Sequence, residues 1–286
     1  MSRAYSIYTP LTAVPFHNSN AFRELAPCPA LRGMIRCFWG SDFRLSSAQP
    51  ETIIPDTCCD LIYRVNETTG EISGHFCGVS SEPFVSHPEA QKTSVFGIRF
   101  FAWQAYRFSD AAMRETLDIY APAEEYFARL DRRLRVILNH CKTLEERAAY
   151  AEELLLFFDP RAICQPVQDA VEIMLKTTQT GDIFRLAHSV FVSTRQLERL
   201  FHEYTGLSPK KLSNMIRYQK VWHDALMDPC FSVAAAVEKY GYFDEAHLHH
   251  EFLRYHGTPL KAAVQQARKD VVFLQDNAGI TEISCR

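Results

Sequence analysis

Residues 193–209 read STRQLERLFHEYTGLSP, and residues 244–260 read DEAHLHHEFLRYHGTPL. Each stretch has a Leu, a Phe four positions later and a Gly five positions after that, and the two copies lie 51 residues apart. A Leu and a Phe four apart share one helix face. The Gly favours the left-handed backbone conformation that ends a helix, and the Pro two or three residues later cannot continue that helix. Two copies of one small helical unit are therefore predicted.

A shorter helical pattern precedes each copy, over residues 182–189 and 232–239, and a tight turn follows it. Helix, turn, helix is the geometry that sets one helix into the major groove of DNA while the other braces it. We name the second helix of each unit its reading helix. Asp244 is predicted to cap the second reading helix, because its carboxylate can accept a backbone N–H of the first turn. Residues 210–227 predict a rigid connecting helix.

The first reading helix carries one polar stripe opposite an apolar face. Arg195 can bond guanine through two atoms, and Glu198 can accept a hydrogen bond from cytosine, so the stripe is able to read bases. The alternative is an ordinary solvated helix face.

The motif positions of this region are Leu186-Ala187, Ser193-x-Arg195-x-Leu197-x-Arg199-x-Phe201, Gly206-x-Ser208-Pro209, Arg217, Tyr240-Gly241-Tyr242, Leu248-x3-Phe252 and Gly257-x-Pro259. Together they resemble the DNA-binding domain of AraC-type transcription regulators. The resemblance implies two helix-turn-helix units whose reading helices meet one face of the duplex about one helical turn apart. The residues expected at the DNA are Thr194, Arg195, Glu198, Arg199, His202, Arg217, Glu245, Ala246, His249 and His250.

Some residues depart from the family pattern. Phe191 lies in the first turn, where small residues such as Gly are usual, and Val237 replaces a common Ala. The second reading helix presents Ala246, His249 and His250 where Arg or Gln is frequent.

The N-terminal half has a different pattern. Residues 31–43, 57–65, 74–79 and 94–101 are rich in aromatic and β-branched residues and are separated by turn formers, which predicts strands. Residues 121–139 and 143–158 have helical spacing, and Thr143 with Glu146 forms a capping-box pattern. The expected class is α+β, with a sensory or dimerisation domain over 1–159, an all-α DNA-binding domain over 160–270 and a tail over 271–286.

Two motifs stand out in this half, Ile54-Pro55-Asp56-x-Cys58-x-Asp60-Leu61-Ile62-Tyr63 and Phe96-Gly97-Ile98-Arg99-Phe100. They resemble an uncharacterised N-terminal sensory domain found on many AraC-type regulators. The resemblance implies a cupin-like small β-barrel that holds an effector or supports dimerisation. Candidate effector-binding residues are Trp39, Cys58, Asp60, Tyr63 and Arg99.

Alternatives stand beside these candidates. Arg99 could clamp an anionic group, or it could form a structural salt bridge with Asp56 or Asp60. Trp39 fits a core position as well as a ligand wall. Cys58 and Cys59 are adjacent on a strand and point to opposite faces, which disfavours a shared metal.

The overall composition is compatible with a DNA-binding protein but does not by itself indicate one. The chain has 286 residues and a formal charge of -3. Residues 160–269 contain 14 Lys and Arg against 11 Asp and Glu, so this region is the more basic part. The nine Cys indicate a reducing cytoplasm. No apolar run is long enough for a membrane span.

The function expected from the sequence is a cytoplasmic regulator that binds double-stranded DNA and a small-molecule effector. A homodimer and, for an activator, contact with RNA polymerase are further expected partners. No enzyme motif, metal or cofactor is expected. The competing hypotheses are a cupin-like metal-dependent enzyme and a regulator without a ligand.

Overall fold

The computed structural model describes residues 8–13, 23–41, 50–86, 93–178 and 181–278. Its strands are β1 (Arg23–Leu25), β2 (Ile35–Ser41), β3 (Glu51–Ile53), β4 (Cys58–Asn66), β5 (Ile72–Cys77), β6 (Phe84–Ser86), β7 (Thr93–Phe101) and β8 (Tyr120–Pro122). Six of them form an antiparallel sheet in the order β1-β2-β7-β4-β5-β8, and β3 pairs with β6 in a separate ribbon.

The helices are α1 (Ala102–Ala105), α2 (Ala123–His140), α3 (Leu144–Leu156), α4 (Gln165–Lys176), α5 (Ile183–Ser189), α6 (Thr194–Thr205), α7 (Pro209–Met227), α8 (Val233–Tyr240), α9 (Glu245–His256) and α10 (Leu260–Ala278). The α+β class is confirmed. In the described residues, β1 and β8 each pair with only one neighbouring strand, so the six-stranded sheet is open at both edges. The sequence had predicted a closed, cupin-like barrel.

Helices cover one face of the sheet and bury its apolar residues. On this face Leu61 lies opposite Ile98 and Phe76 in the strand register. Phe127 of α2 packs on Phe76 at 5.1 Å and on Phe100 at 6.1 Å between ring centroids. The opposite face is the polar one, because side chains alternate along each strand.

The helix ends follow from local sequence. Thr143 and Glu146 form the predicted capping box at the start of α3. Ser193, Ser208 and Asp244 each cap a helix by accepting a backbone N–H bond. Pro209 is the first residue of α7, where a residue without an N–H costs nothing.

The helix-turn-helix units contain the elements that the repeat predicts. The first unit is α5 and α6, the second is α8 and α9, and α7 connects them. Leu197 and Phe201 of α6, and Leu248 and Phe252 of α9, are all buried. Helix α10 continues past residue 270 to Ala278.

The two halves pack against each other. The amide of Gln219 in α7 accepts from the Leu11 backbone N–H at 2.8 Å and donates to the carbonyls of Leu11 and Pro55 at 3.1 and 2.7 Å. The Trp222 indole donates to the carbonyl of Thr12 at 3.0 Å. Helix α7 therefore joins the two reading helices to the N-terminal half.

Candidate nucleic-acid interface and effector sites

Helix α6 presents the predicted reading stripe to solvent. Arg195, Glu198 and His202 are exposed, and Thr194 is half-buried at the start of the helix. The Arg199 guanidinium lies 3.2 Å from the Glu203 carboxylate, which also binds Arg114 at 3.2 Å. Arg195 and Glu198 are the two side chains on this face with complementary base-reading chemistry.

Helix α9 presents the second stripe. Glu245, Ala246, His249 and His250 are all exposed. The helix begins at its Asp244 cap, which accepts from the His247 backbone N–H at 2.7 Å. This stripe contains no Arg, whereas the stripe of α6 contains Arg195 and Arg199.

Arg217 is not at this surface, which corrects the expectation from sequence. Its side chain is 6% exposed and bonds both carboxylate oxygens of Glu251, at 3.0 and 2.5 Å. Its guanidinium lies 4.1 Å from the Tyr242 ring centroid, and Tyr242 donates to Glu251 at 2.7 Å. Arg217 therefore fixes α9 against α7 and is positioned to orient the second reading helix.

Two exposed aromatic residues stand beside the reading helices. Phe191 in the first turn is 95% exposed, and Phe243 in the second is 90% exposed. The sequence identified Phe191 as a departure from a family pattern and did not identify Phe243. That both rings are exposed, one beside each reading helix, becomes visible only in the folded structure.

The polar face of the sheet brings together most of the predicted effector residues. Asp60 is opposite Arg99 in the strand register, and Trp39 is opposite Gly97. The Arg99 guanidinium contacts Asp60 at 3.0 Å, Asp56 at 3.4 Å and Glu24 at 3.8 Å.

Arg99 is therefore committed to carboxylates. Burial alone would lower its pKa, but the charges of Asp60 and Asp56 outweigh burial and raise it. Burial raises the pKa of Asp56, and Arg99 opposes that shift. The salt-bridge interpretation is the one that the contacts support, so we place no anion clamp at Arg99.

The other effector candidates are distributed differently. The Trp39 indole donates to Asp60 at 2.6 Å and covers Gly97, where a Cβ would meet the indole at 2.1 Å. Cys58 lies on the polar face but is 3% exposed. Tyr63 is fully buried on the other face, so it cannot share a site with Trp39. In the described residues no group of three or more His, Cys, Asp or Glu could hold a metal ion.

The structure has a cavity that the sequence did not indicate. Its volume is about 450 Å³, and it lies where the N-terminal segment meets the DNA-binding half. Its walls include Tyr8 and Thr9 of that segment, Leu175 of α4, Lys220 and Asp224 of α7, and Tyr240 of α8. We call it the junction cavity.

Polar groups around the junction cavity are held in place. The Lys220 ammonium donates to the carbonyls of Met174, Leu175 and Thr177 at 3.1, 2.9 and 2.5 Å. Burial lowers its pKa to about 8. Asp224 accepts from Tyr240 at 2.6 Å and from Lys239 at 2.7 Å. The cavity is thus bordered by α4, by α7 and, through α8, by the second helix-turn-helix unit.

Two family models match separate parts of the chain. Residues 23–122 match the model of a domain of unknown function, DUF6597, and residues 186–266 match that of a helix-turn-helix domain of the AraC type. The fold and the paired reading helices define a DNA-binding protein with tandem helix-turn-helix units. The chain is a transcription regulator that carries an AraC-type DNA-binding domain behind a DUF6597 domain.

Solved structures of ToxT from Vibrio cholerae are among those to which the chain is similar. An apo variant from strain SCE256 is 10% identical, covers 80% of this chain and 97% of its own, and has a TM-score of 0.40. A second crystal form is 9% identical with 87% and 98% coverage and a TM-score of 0.40. An unsaturated fatty acid-bound structure is 9% identical with 92% and 96% coverage and a TM-score of 0.37. No curated protein sequence is similar enough to count as a match.

Proposed function

We propose that the chain reads duplex DNA with α6 and α9 and that a small molecule in the junction cavity changes how well it does so. The observation that carries this proposal is the position of the cavity between Tyr8, α4, α7 and α8. A cavity of this size is suited to a small molecule. A ligand there would touch α4, α7, the first helix of the second helix-turn-helix unit and the N-terminal segment together.

Base reading is assigned to exposed side chains. Arg195 bonds a guanine and Glu198 accepts from a cytosine, while Arg199 and His202 lie where phosphates pass. On α9, Glu245, Ala246, His249 and His250 form the weaker reading surface. Arg217 acts through Glu251 by holding α9, without touching DNA.

Coupling between the cavity and the DNA follows from the walls. A ligand shifts DNA affinity only if it binds one arrangement of these elements better than another. A tenfold change in DNA affinity needs about 1.4 kcal/mol of such preference. The cavity walls belong to helices that position α6 and α9. A ligand in the cavity would therefore contact the helices whose movement changes the position of α6 and α9.

The chemistry of the walls favours a molecule that joins a polar group to a non-polar body. Tyr8, Tyr240 and Leu175 supply apolar surface, while Lys220 and Lys176 already have partners in three backbone carbonyls and in Glu172. Carboxylates and neutral compounds with an aromatic or aliphatic body are therefore the compounds to test first. The panel includes an unsaturated fatty acid, the ligand named for one ToxT structure.

The experiment uses the full chain. Melting temperature and affinity for a duplex selected from a random-sequence library are measured across the panel. Thr9→Trp places a large side chain at the cavity wall and is expected to abolish the ligand-induced changes in melting temperature and in DNA affinity. Thr68→Trp, in the exposed β4–β5 turn, should leave both changes intact. If no compound shifts melting, or if Thr9→Trp responds like the wild type, the cavity has no sensory role and a ligand-independent regulator is the better account.

Assembly and location complete the proposal. We propose that the chain acts in the cytoplasm, where bacterial-type regulators meet DNA, that the N-terminal half supports a homodimer, and that an activator would also contact RNA polymerase. Sedimentation of the full chain tests the dimer. In the part of the chain that the structure describes, no helix is long and apolar enough to cross a membrane. We propose no enzymatic activity; metal analysis of the purified chain tests the rival metal-dependent enzyme.

A further inference from the structure

The turn of each helix-turn-helix unit projects one phenylalanine almost completely into solvent. Phe191 is 95% exposed and Phe243 is 90% exposed. Rings of this size normally stabilise a fold by leaving water. Neither ring contributes to the core of its own unit.

The second turn shows that this backbone conformation does not need a Phe side chain. Its φ is 58°, in the left-handed region that disfavours side chains, and the residue with the same role in the second unit is Gly241, with φ 67°. Both turns close with the same backbone bond, from Val192 N–H to the Ala187 carbonyl at 3.1 Å and from Tyr242 N–H to the Val237 carbonyl at 3.0 Å. Gly performs this turn without steric cost, so the phenyl ring of Phe191 is retained against the preference of the backbone.

The second turn provides its phenylalanine by another route. After Gly241 it has one more residue than the first turn before the cap of the reading helix, and Phe243 lies directly before Asp244. Phe191 lies two residues before Ser193, the cap of α6. Two turns with different lengths and conformations therefore place an exposed ring at the same end of their reading helices.

This end of a reading helix approaches the base edges in helix-turn-helix complexes. The apolar group that DNA offers in the major groove is the C5-methyl of thymine, which a Phe can contact. An uncharged, exposed ring is poorly suited to phosphate, which is bound by cations and N–H donors.

We propose that Phe191 and Phe243 each contact a thymine methyl and so select a T·A pair in each half-site. This inference rests on the proposed reading role of α6 and α9. Because two such units on one duplex face lie about one helical turn apart, the two selected thymines should lie about 10 base pairs apart.

The test uses the full chain and a duplex selected by the wild type from a random-sequence library. Each thymine is replaced in turn by deoxyuridine, which removes only the methyl group. Two positions should lower wild-type affinity by about fivefold, the effect of losing part of an apolar contact. Phe191→Gly should bind the parent duplex about fivefold more weakly and be insensitive to deoxyuridine at one of these positions. Phe243→Ala should behave likewise at the other.

Controls separate recognition from folding. Phe157→Ala removes a ring that is 81% exposed at the end of α3 and should leave DNA affinity unchanged. Phe191→Gly should melt no lower than the wild type, so that weaker binding cannot reflect unfolding. Wild-type affinity in both Phe variants would overturn the inference, as would an equal loss on thymine and deoxyuridine duplexes, which indicates a sugar contact. If the wild type selects no duplex at all, the reading role of α6 and α9 fails instead.

Discussion

At the scale of single residues, the proposed base recognition depends most on Arg195. It is exposed on α6, and the described contacts do not commit it to a carboxylate in the way that Glu203 engages Arg199. Binding a base costs such an exposed arginine little free energy, because no ion pair within the protein has to be broken first.

Arg195→Ala is expected to cost about 1 to 3 kcal/mol on the preferred duplex and to relax discrimination at one position, because a two-atom contact with guanine carries sequence information. Binding to a set of single-base variants of the selected duplex measures this. Gln196→Ala, at the exposed neighbouring position, is the control. A loss that is uniform over all sequences would make Arg195 a phosphate contact.

His256 gives the fold a pH dependence. Burial lowers its pKa to about 4, its Nδ1 lies 2.8 Å from the Tyr218 hydroxyl, and its ring packs on Phe252. In the unfolded chain a His has a pKa of about 6.5, so below that pH the unfolded chain binds a proton that the folded chain refuses. The contribution is complete above pH 6.5 and is lost as pH falls towards 4, by about 3 kcal/mol in total.

Denaturant unfolding between pH 4 and pH 7.5 measures this effect. His256→Asn keeps a short hydrogen-bonding side chain but cannot titrate, so its free energy of unfolding should vary less across this range than that of the wild type. An identical pH profile for the two proteins would show that other groups determine acid stability.

At the scale of elements, the Arg217–Glu251 pair decides how the second reading helix is held. The Arg217 and Glu251 side chains are 6% and 11% exposed, and they join α7 to α9. Burying two charges is favourable only while both are present, so losing one partner leaves a charge without compensation.

Arg217→Met should lower the free energy of unfolding by about 3 kcal/mol, while the double variant Arg217→Met with Glu251→Met should recover most of it. Chemical denaturation of the three proteins measures the coupling. DNA binding by Arg217→Met should fail mainly at bases read by α9. An exposed phosphate contact would instead weaken binding evenly and leave stability unchanged.

Several elements could be predicted from sequence because their signals are local. Strand β4 and the helices α3, α6 and α9 follow from alternation, from caps and from Leu–Phe spacing. The three-residue strands were missed because so short a run has no measurable period. Helix α4 was not assigned, although Val167, Ala170, Val171 and Met174 have helical spacing and are buried.

Other features depend on distant partners and could not be read locally. Arg217 was expected at the DNA, but its position is decided by Glu251, 34 residues later in the chain. The junction cavity is formed by segments far apart in sequence, from Tyr8 to Tyr240. Family resemblance indicated the helix-turn-helix units correctly and gave no information on either arrangement.

At the scale of the whole molecule, the N-terminal half supports the first reading helix directly. The Met113 backbone N–H donates to the carbonyl of Glu203 in α6 at 2.9 Å, and the Tyr106 and Tyr204 rings lie 4.3 Å apart. A Cβ on Gly206 would lie 2.3 Å from the Thr116 hydroxyl and 2.7 Å from the Met113 carbonyl. The two halves therefore share a surface with no room for another methyl group.

Gly206→Ala should loosen this surface, because it adds a clash to the cost of a left-handed residue. Gly70→Ala is the matched control, since Gly70 has φ +73° and open space around its Cβ position. We expect Gly206→Ala to lose at least about 1 kcal/mol more than Gly70→Ala and to expose the α6 surface to hydrogen exchange. Equal losses would mean that the contacts of Gly206 with Met113 and Thr116 do not restrict this surface.

The unequal turns of the two units give the complex a direction. The first turn contains Phe191 and precedes the helix that carries Arg195 and Glu198. The second turn is one residue longer and precedes the helix that carries His249 and His250. If both helices read bases as proposed, a single chain meets two different half-sites in a fixed order and needs no palindrome. Inverting the site in a promoter would turn the regulator end for end and exchange which reading helix lies nearer the gene, while the affinity stays the same.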